Sequence, residues 1–287
     1  MASKQDLRRR IRSVKSTQQI TKAMKMVAAA KLRRAQQRVI EARPYAAALE
    51  RVMRSIASRI PAGRHALLVE RPERRVTLVV VTGDKGLCGA FNTNLLREAN
   101  TLLQSGKWES VDLVLVGRKG ADFFRHRGRK PVASYPEVMH SVTDAAATNL
   151  ARELAARFIE RKTDAVYLLY NHFRSIIQQK VTLDRLLPIA REEQGSEGGT
   201  AGFIFEPSAG ALIHQILPRH VEFQVFRVLL DSQAAEHASR MTAMDAAAKN
   251  AAEMIDRLTL TYNRVRQASI TKELIEIVSG AQALAER

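Results

Sequence analysis

The residues best placed for chemistry lie in one glycine-rich turn, residues 83–92 (GDKGLCGAFN), directly after a β-branched run. A strand, a glycine turn and a helix in succession can bind phosphate through backbone N–H groups. This turn, however, lacks the GxxxxGK[ST] phosphate loop and does not fit GxGxxG. Asp84 and Lys85 could form a local charge pair, with the glycines serving only the bend. The sequence therefore favours a structural turn over a nucleotide site.

No other group of residues forms a candidate catalytic or metal site. Cys88, the single cysteine, has no histidine near it in sequence, which predicts a small buried residue and no nucleophile. The seven histidines are scattered, without the HxxxH or HExxH spacing of metal ligands. We therefore predict no catalytic residue, no metal and no cofactor.

The turn belongs to a middle region in which strands and helices alternate. The predicted strands are residues 76–82, 111–116, 165–170 and 181–189. The predicted helices are residues 94–103, 121–126 and 144–161. This alternation predicts a parallel or mixed sheet that is covered on both faces. The polar, glycine-rich residues 192–202 predict a loop.

Two long segments without glycine, residues 1–62 and 211–279, flank the middle region. Because glycine costs a helix interior roughly 1 kcal/mol, its exclusion favours one extended helix in each segment. Alternating steps of four and three, from Leu7 to Ile60, give the apolar seam of a coiled coil in the first segment. The second segment has a similar seam that is rich in alanine. The two helices are predicted to pair antiparallel; the alternative is two amphipathic helices folded onto the middle region.

Three consecutive seam positions in the first helix are polar: Gln18, Thr21 and Lys25. Ile20, Met24 and Val27 lie nearby on another face. We therefore expect the buried stripe to shift to these three residues and Lys25 to point outward. Proline removes a helical hydrogen bond, so Pro44 is expected to kink this helix and Pro218 to interrupt the start of the last one.

Positive charge is concentrated at the N-terminal end. The net charge is +17, and residues 1–60 contribute +13 through 16 Lys/Arg and three acidic residues. Such a helix requires an acidic partner, which could be nucleic acid, anionic lipid or an acidic protein surface. A mitochondrial targeting peptide is a further interpretation of this segment. No apolar run approaches the ~20 residues that span a bilayer.

Four segments together resemble the γ subunit of F-type ATP synthases. They are residues 16–27 (STQQITKAMKMV), 83–92 (GDKGLCGAFN), 240–243 (RMTA) and 266–280 (RQASITKELIEIVSG). The resemblance implies an α/β fold with a long antiparallel coiled coil of the terminal helices and a Rossmann-like globular domain. It implies three parts: a coiled-coil helix over residues 1–60, a globular foot domain over 61–209, and a second coiled-coil helix over 210–287.

The resemblance also implies a function and its partners. The chain would be the central rotor shaft, without an active site of its own, that couples rotation of the c-ring to ATP synthesis or hydrolysis on the β subunits. Its partners would be three α and three β subunits, the ε subunit and the c-ring, with no nucleic acid and with only indirect membrane contact. It would be a peripheral protein on the cytoplasmic face of a bacterial inner membrane. A basic nucleic-acid-binding coiled coil and an enzyme built on the α/β region are the alternatives.

Particular residues match positions that contact other subunits in that family. Met24 and Lys25 match a contact with an acidic lobe of β. The positions that make polar contacts between shaft and ring in that family correspond here to Arg240, Arg266, Gln267, Thr271 and Glu273. Phe203 and Glu206 match the foot near the c-ring.

Overall fold

Two long helices, α1 (Lys4–Ala57) and α5 (Ala209–Ala285), each contribute residues to two units of the chain. The computed structural model describes residues 3–57, 65–190 and 209–285. One unit comprises Met1–Val27 with Met241–Arg287, and the other comprises Ala28–Arg240. Both helices continue through their internal prolines, Pro44 and Pro218, so the predicted interruption at Pro218 is wrong. The predicted loop 192–202 lies outside the described residues.

The unit of residues 28–240 contains a five-stranded sheet. Its strands are β1 (Arg75–Val81), β2 (Ser110–Val116), β3 (Ala133–Tyr135), β4 (Ala165–Phe173) and β5 (Gln179–Leu187). Their order is β3-β2-β1-β4-β5, and only β5 runs antiparallel to its neighbour. The mixed sheet and its four predicted strands are confirmed. The short edge strand β3 is an addition, because three residues carry too little periodicity to be recognised.

Alternate residues of the central strands face opposite layers of helix. Leu78 and Val80 of β1 pack in one core with α2 (Phe91–Gln104) and α3 (Arg118–Arg125). Val79 and Val81 pack in the other core with α4 (Asp144–Ile159) and α5. Successive side chains of a strand point to opposite faces, so a strand buried on both faces is apolar throughout. This accounts for the continuous apolar run of β1.

Helix α5 supplies part of the second core. Ile213, Leu217, Val221 and Val225 recur every four residues, and none exposes more than 3% of its surface. Helix α1 packs on the same region, where Val39 contacts this core and the rings of Tyr45 and Phe223 lie 5.2 Å apart. One end of α5 is therefore fixed in the core of the α/β unit.

The unit formed by residues 1–27 and 241–287 is a pair of antiparallel helices. Lys4 pairs with Glu273 and Lys25 with Asp245, so residue numbers rise on one helix as they fall on the other. The pair buries Leu7 and Thr21 of α1, and Met244, Ala248 and Ala251 of α5. The small alanine side chains on α5 allow the helices to approach closely, as the seam predicts. Among the described residues, no helix combines the length and hydrophobicity needed to cross a membrane.

Gly117, which joins β2 to α3, provides a test of this packing. Its φ is +87°, and a Cβ atom there would lie 2.1 Å from the carbonyl oxygen of Thr82. Gly117→Ala is expected to lower the free energy of unfolding by about 3 kcal/mol or more, because left-handed strain and overpacking add. Gly106→Ala is the matched control, since Gly106 has φ +65° with no atom within 4 Å of an added Cβ. It should cost only about 1–2 kcal/mol. Urea denaturation measures both, and equal losses would contradict the close approach.

Candidate functional site

The glycine turn of residues 83–92 is held by its own chain. The Asp84 carboxylate accepts backbone N–H bonds from Arg118 at 3.0 Å and Glu137 at 2.9 Å, and the side-chain oxygen of Asn92 accepts from the Gly83 N–H at 2.9 Å. Across the described residues no ion pair joins Asp84 to the exposed Lys85. Asp84 therefore fastens the turn to the segments beside it, which supports the structural interpretation of this motif.

The turn also contacts α5 through Glu236 and Arg240. Arg240 Nη2 donates to Glu236 at 2.5 Å and to the carbonyl oxygen of Gly86 at 3.3 Å, and Ser239 Oγ donates to the Cys88 carbonyl oxygen at 2.7 Å. A Cβ atom on Gly83 would lie 2.9 Å from the Glu236 carboxyl carbon. Two sequence motifs that are more than 140 positions apart thus meet at one junction, where a larger residue at position 83 would displace the Glu236 carboxylate.

Burial controls the electrostatics of this junction. Desolvation raises the pKa of Glu236, and the neighbouring Arg240 partly opposes that effect. Desolvation, then Arg240 and Lys31, lowers the pKa of His237 to about 4, so this histidine is neutral at physiological pH. Burial likewise raises the pKa of Cys88, which keeps the thiol protonated and unreactive. The junction therefore has a structural role, which is to hold the turn of residues 83–92 against α5.

Arg240 is therefore already bound within its own chain. Only 14% of its side chain is exposed, against 6% for Glu236. Removing one partner of such a buried pair leaves an uncompensated charge, a loss of roughly 3–5 kcal/mol. Its predicted contact with a neighbouring subunit stays a prediction. Sequence reasoning missed Glu236, although its i,i+4 spacing to Arg240 was a usable signal.

The helix pair of residues 1–27 and 241–287 contains the first predicted contact residues, Met24 and Lys25. Lys25 Nζ lies 2.6 Å from Asp245 Oδ1, and its side chain is 42% exposed. Met24 is half-buried. The outward orientation expected for Lys25 is therefore wrong in part, because Asp245 binds the ammonium group across the seam.

The buried stripe does not shift face as predicted. Thr21 is 8% exposed, whereas Ile20 and Val27 are each 56% exposed. Thr21 tolerates burial because its hydroxyl donates to the Gln18 carbonyl oxygen at 3.0 Å. Because Thr21 and Lys25 each have a polar partner, the seam continues through them without changing face. Ile20 and Val27 are left on the surface, where they can contact another molecule.

The remaining predicted residues of α5 lie on its surface. Arg266, Gln267, Thr271 and Glu273 are all exposed. The Thr271 hydroxyl donates to the Gln267 carbonyl oxygen at 3.0 Å, and Glu273 accepts from Ser269 at 2.9 Å and pairs with Lys4 at 3.5 Å. These hydrogen bonds and this ion pair hold the pKa of Glu273 below its ordinary value.

Helix α5 ends in exposed apolar side chains. Five apolar residues near this end each expose between 48% and 68% of their surface: Ile270, Leu274, Ile275, Ile277 and Val278. Large apolar patches on a protein surface are typical of interaction sites. Exposed polar and exposed apolar side chains therefore share this end of α5.

Phe203 and Glu206 lie outside the described residues. Over residues 3–57, 65–190 and 209–285, no group of three His, Cys, Asp or Glu side chains could hold a metal ion.

Comparison with known proteins gives one consistent result. The family model described as ATP synthase matches residues 3–284. The ATP synthase gamma chain of Geobacter metallireducens is 48% identical over 286 residues, which covers 99% of both chains. A chain from the central stalk and c-ring of the Tetrahymena thermophila mitochondrial ATP synthase is 26% identical, with TM-score 0.61 over 79% of this chain and 99% of that one. The fold also matches a chain of the Euglena gracilis mitochondrial enzyme, with TM-score 0.68 and 20% identity over 98% and 94% of the two chains.

The Lys25–Asp245 pair predicts a pH dependence. Hydrogen bonds from Lys25 and then Lys249 lower the pKa of Asp245 from 3.8, so its stabilising contribution is present above pH 3.8 and disappears as pH falls through the lower, folded value. Asp245→Asn should therefore lower the Tm at pH 7. It should leave the Tm unchanged at a pH below the folded-state pKa of Asp245, where the carboxyl group is protonated. Thermal unfolding monitored by circular dichroism checks this. A Tm difference that is independent of pH would contradict the role of the ionised carboxylate.

Proposed function

Because this chain belongs to the ATP synthase gamma chain family, we propose that it is the central-stalk rotor subunit that couples ion-driven rotation to nucleotide chemistry elsewhere in the complex. The observation that carries the proposal is that both helices of the pair expose apolar side chains, at the end of α5 and, farther along the pair, at Ile20 and Val27 of α1. A helix pair that exposes apolar side chains in this way requires other protein subunits to cover them. The catalytic sites would lie on the β subunits, and this chain would be non-catalytic.

The coupling follows from unequal contacts. A rotor can change the state of a neighbouring subunit only if its interaction energy differs between the two states. The helix pair presents different side chains around its circumference, with apolar Ile20 on one part of the surface and the Lys25–Asp245 pair on another. Turning this surface would impose the differences on each β subunit in succession. By reciprocity, nucleotide changes in β would turn the rotor.

We propose the following contacts between single residues of this chain and the neighbouring subunits. Lys25 would engage an acidic lobe of β with the part of its side chain that Asp245 leaves exposed, and Met24 would pack beside it. Arg266 and Gln267, with Thr271 and Glu273, would make polar contacts with the surrounding ring, because all four are exposed. Arg240 would act mainly by fixing the turn of residues 83–92. Phe203 and Glu206 would lie near the c-ring.

The proposed surroundings are those of a bacterial complex. Three α and three β subunits would enclose the helix pair of residues 1–27 and 241–287, while the unit of residues 28–240 would meet the ε subunit and the c-ring. The complex would hold the chain on the cytoplasmic face of the plasma membrane. The bacterial relative of 48% identity supports this setting.

Co-expression with cognate α and β subunits tests the function directly. We expect one copy of this chain per three of each, with restored ATPase activity. Ile277→Asp should weaken the assembly about tenfold or more, because a buried isoleucine contributes ~1.5–3 kcal/mol. Ile159→Asp on α4 is the control, since Ile159 is exposed too, at 49% against 68% for Ile277, but lies outside the helix pair. Assembly that is indifferent to Ile277→Asp would refute enclosure of this end.

The coupling role of Lys25 requires a separate variant. Lys25→Glu should reduce proton pumping several-fold more than ATP hydrolysis, both measured on the same membranes, because the charge facing β is reversed. Lys22→Glu, at an exposed lysine three residues away, is the control.

The exchange Lys25→Glu with Asp245→Lys separates the two roles of Lys25. It restores opposite charges at positions 25 and 245, while Lys249 then faces a like charge, and should recover most of the Tm but not the pumping. Full recovery of pumping would show that only the internal pair matters.

A further inference from the structure

A second charged surface lies at the turn between α3 and β3. Residues 125–130 (RHRGRK) contain four Lys/Arg and one histidine within six positions, and all six residues are exposed. The proposed rotor function assigns no role to any residue of this segment, which we term the basic turn. Clustered like charges repel one another unless an anion neutralises them.

The backbone of the basic turn is closed by hydrogen bonds. Gly128 has φ +69°, its N–H donates to the Arg125 carbonyl oxygen at 3.1 Å, and the Arg129 N–H donates to the Phe124 carbonyl oxygen at 3.1 Å. This is the Schellman arrangement that ends a helix at a left-handed glycine. It occupies carbonyl groups at the end of α3 that would otherwise repel an anion, and it presents the cations from a rigid turn.

The cations of the basic turn differ in their partners. Arg125 pairs with Asp122 at 2.6 Å, and the guanidinium of Arg127 lies 3.6 Å from the centre of the Phe123 ring. Over the described residues, neither Arg129 nor Lys130 forms a side-chain hydrogen bond or ion pair. Two positive charges on a fixed backbone are therefore available to a ligand.

These two residues line an open cleft of about 300 Å³. Arg125 and Gly128 also line it, and its apolar lining includes Ala121 and Pro131. An added Cβ on Gly128 would meet no atom within 4 Å, so the glycine leaves space beside the charges. A cleft of this size holds a small group rather than a protein segment.

We propose that this cleft binds a phosphate group, carried either by an anionic lipid headgroup or by a free phosphate compound. Arg129 supplies a planar guanidinium that can donate two parallel hydrogen bonds to phosphate oxygens, and Lys130 supplies a compact point charge. Arg125, held by Asp122, adds a third cation at the edge. The apolar lining suits the neutral part of an amphipathic phosphate ester.

The test uses the full chain at one fixed ionic strength, because its net charge of +17 attracts anions in general. The double variant Arg129→Gln with Lys130→Gln removes the two unpaired charges. The control, Arg97→Gln with Arg174→Gln, removes two exposed arginine charges outside the cleft. One arm titrates pyrophosphate by calorimetry, and the other sediments vesicles of phosphatidylglycerol with phosphatidylcholine.

We expect the cleft variant to weaken binding about tenfold in one arm, while the control stays near wild type. Weaker binding of pyrophosphate by the cleft variant would identify the ligand as a free phosphate compound. Weaker binding of vesicles alone would identify it as a lipid headgroup. Equal effects of the two variants, or no effect of the cleft variant in either arm, would overturn the proposal. Identical thermal unfolding of the two variants would confirm that folding is not the cause.

Discussion

The antiparallel pairing of α1 and α5 is the constraint on which the other features depend. An isolated helix in water gains little from its own hydrogen bonds, and most helical stability in proteins comes from packing an apolar face. Leu7 of α1 and Ala248 and Ala251 of α5 are buried within the helix pair, where the small alanine side chains allow close approach. Long helices that are exposed on most of their surface persist because each buries a stripe on the other.

Helix α5 has a second role in the α/β unit. Ile213, Leu217 and Val221 form part of the core beneath the sheet, and Glu236 with Arg240 fastens the same helix to the glycine turn. Residues of α5 are thus fixed by apolar burial and by a buried ion pair. A part that transmits torque needs such attachments, since a helix that slipped against its sheet would dissipate the work.

Much of this fold follows from local patterns. β1 and most of β2 are apolar runs, and the terminal helices lack glycine over residues 4–57 and 211–279 and keep a seven-residue period. The inward orientation of Lys25 could not be predicted, because its partner Asp245 is 220 positions away in the sequence. The burial of Arg240 likewise depends on Glu236 and on the approach of α5 to Gly83. Periodicity identifies which residues are apolar, whereas the partner of a polar residue is decided in three dimensions.

Rotation of the chain inside its complex tests the central claim most directly. The complex would be fixed to a surface through its β subunits, with a visible marker on a Lys180→Cys variant in a Cys88→Ser background, because Lys180 is exposed and Cys88 is the single native cysteine. We predict that added ATP turns the marker continuously in one direction. Sustained ATP hydrolysis with a stationary marker would contradict the assignment of this chain as the rotor.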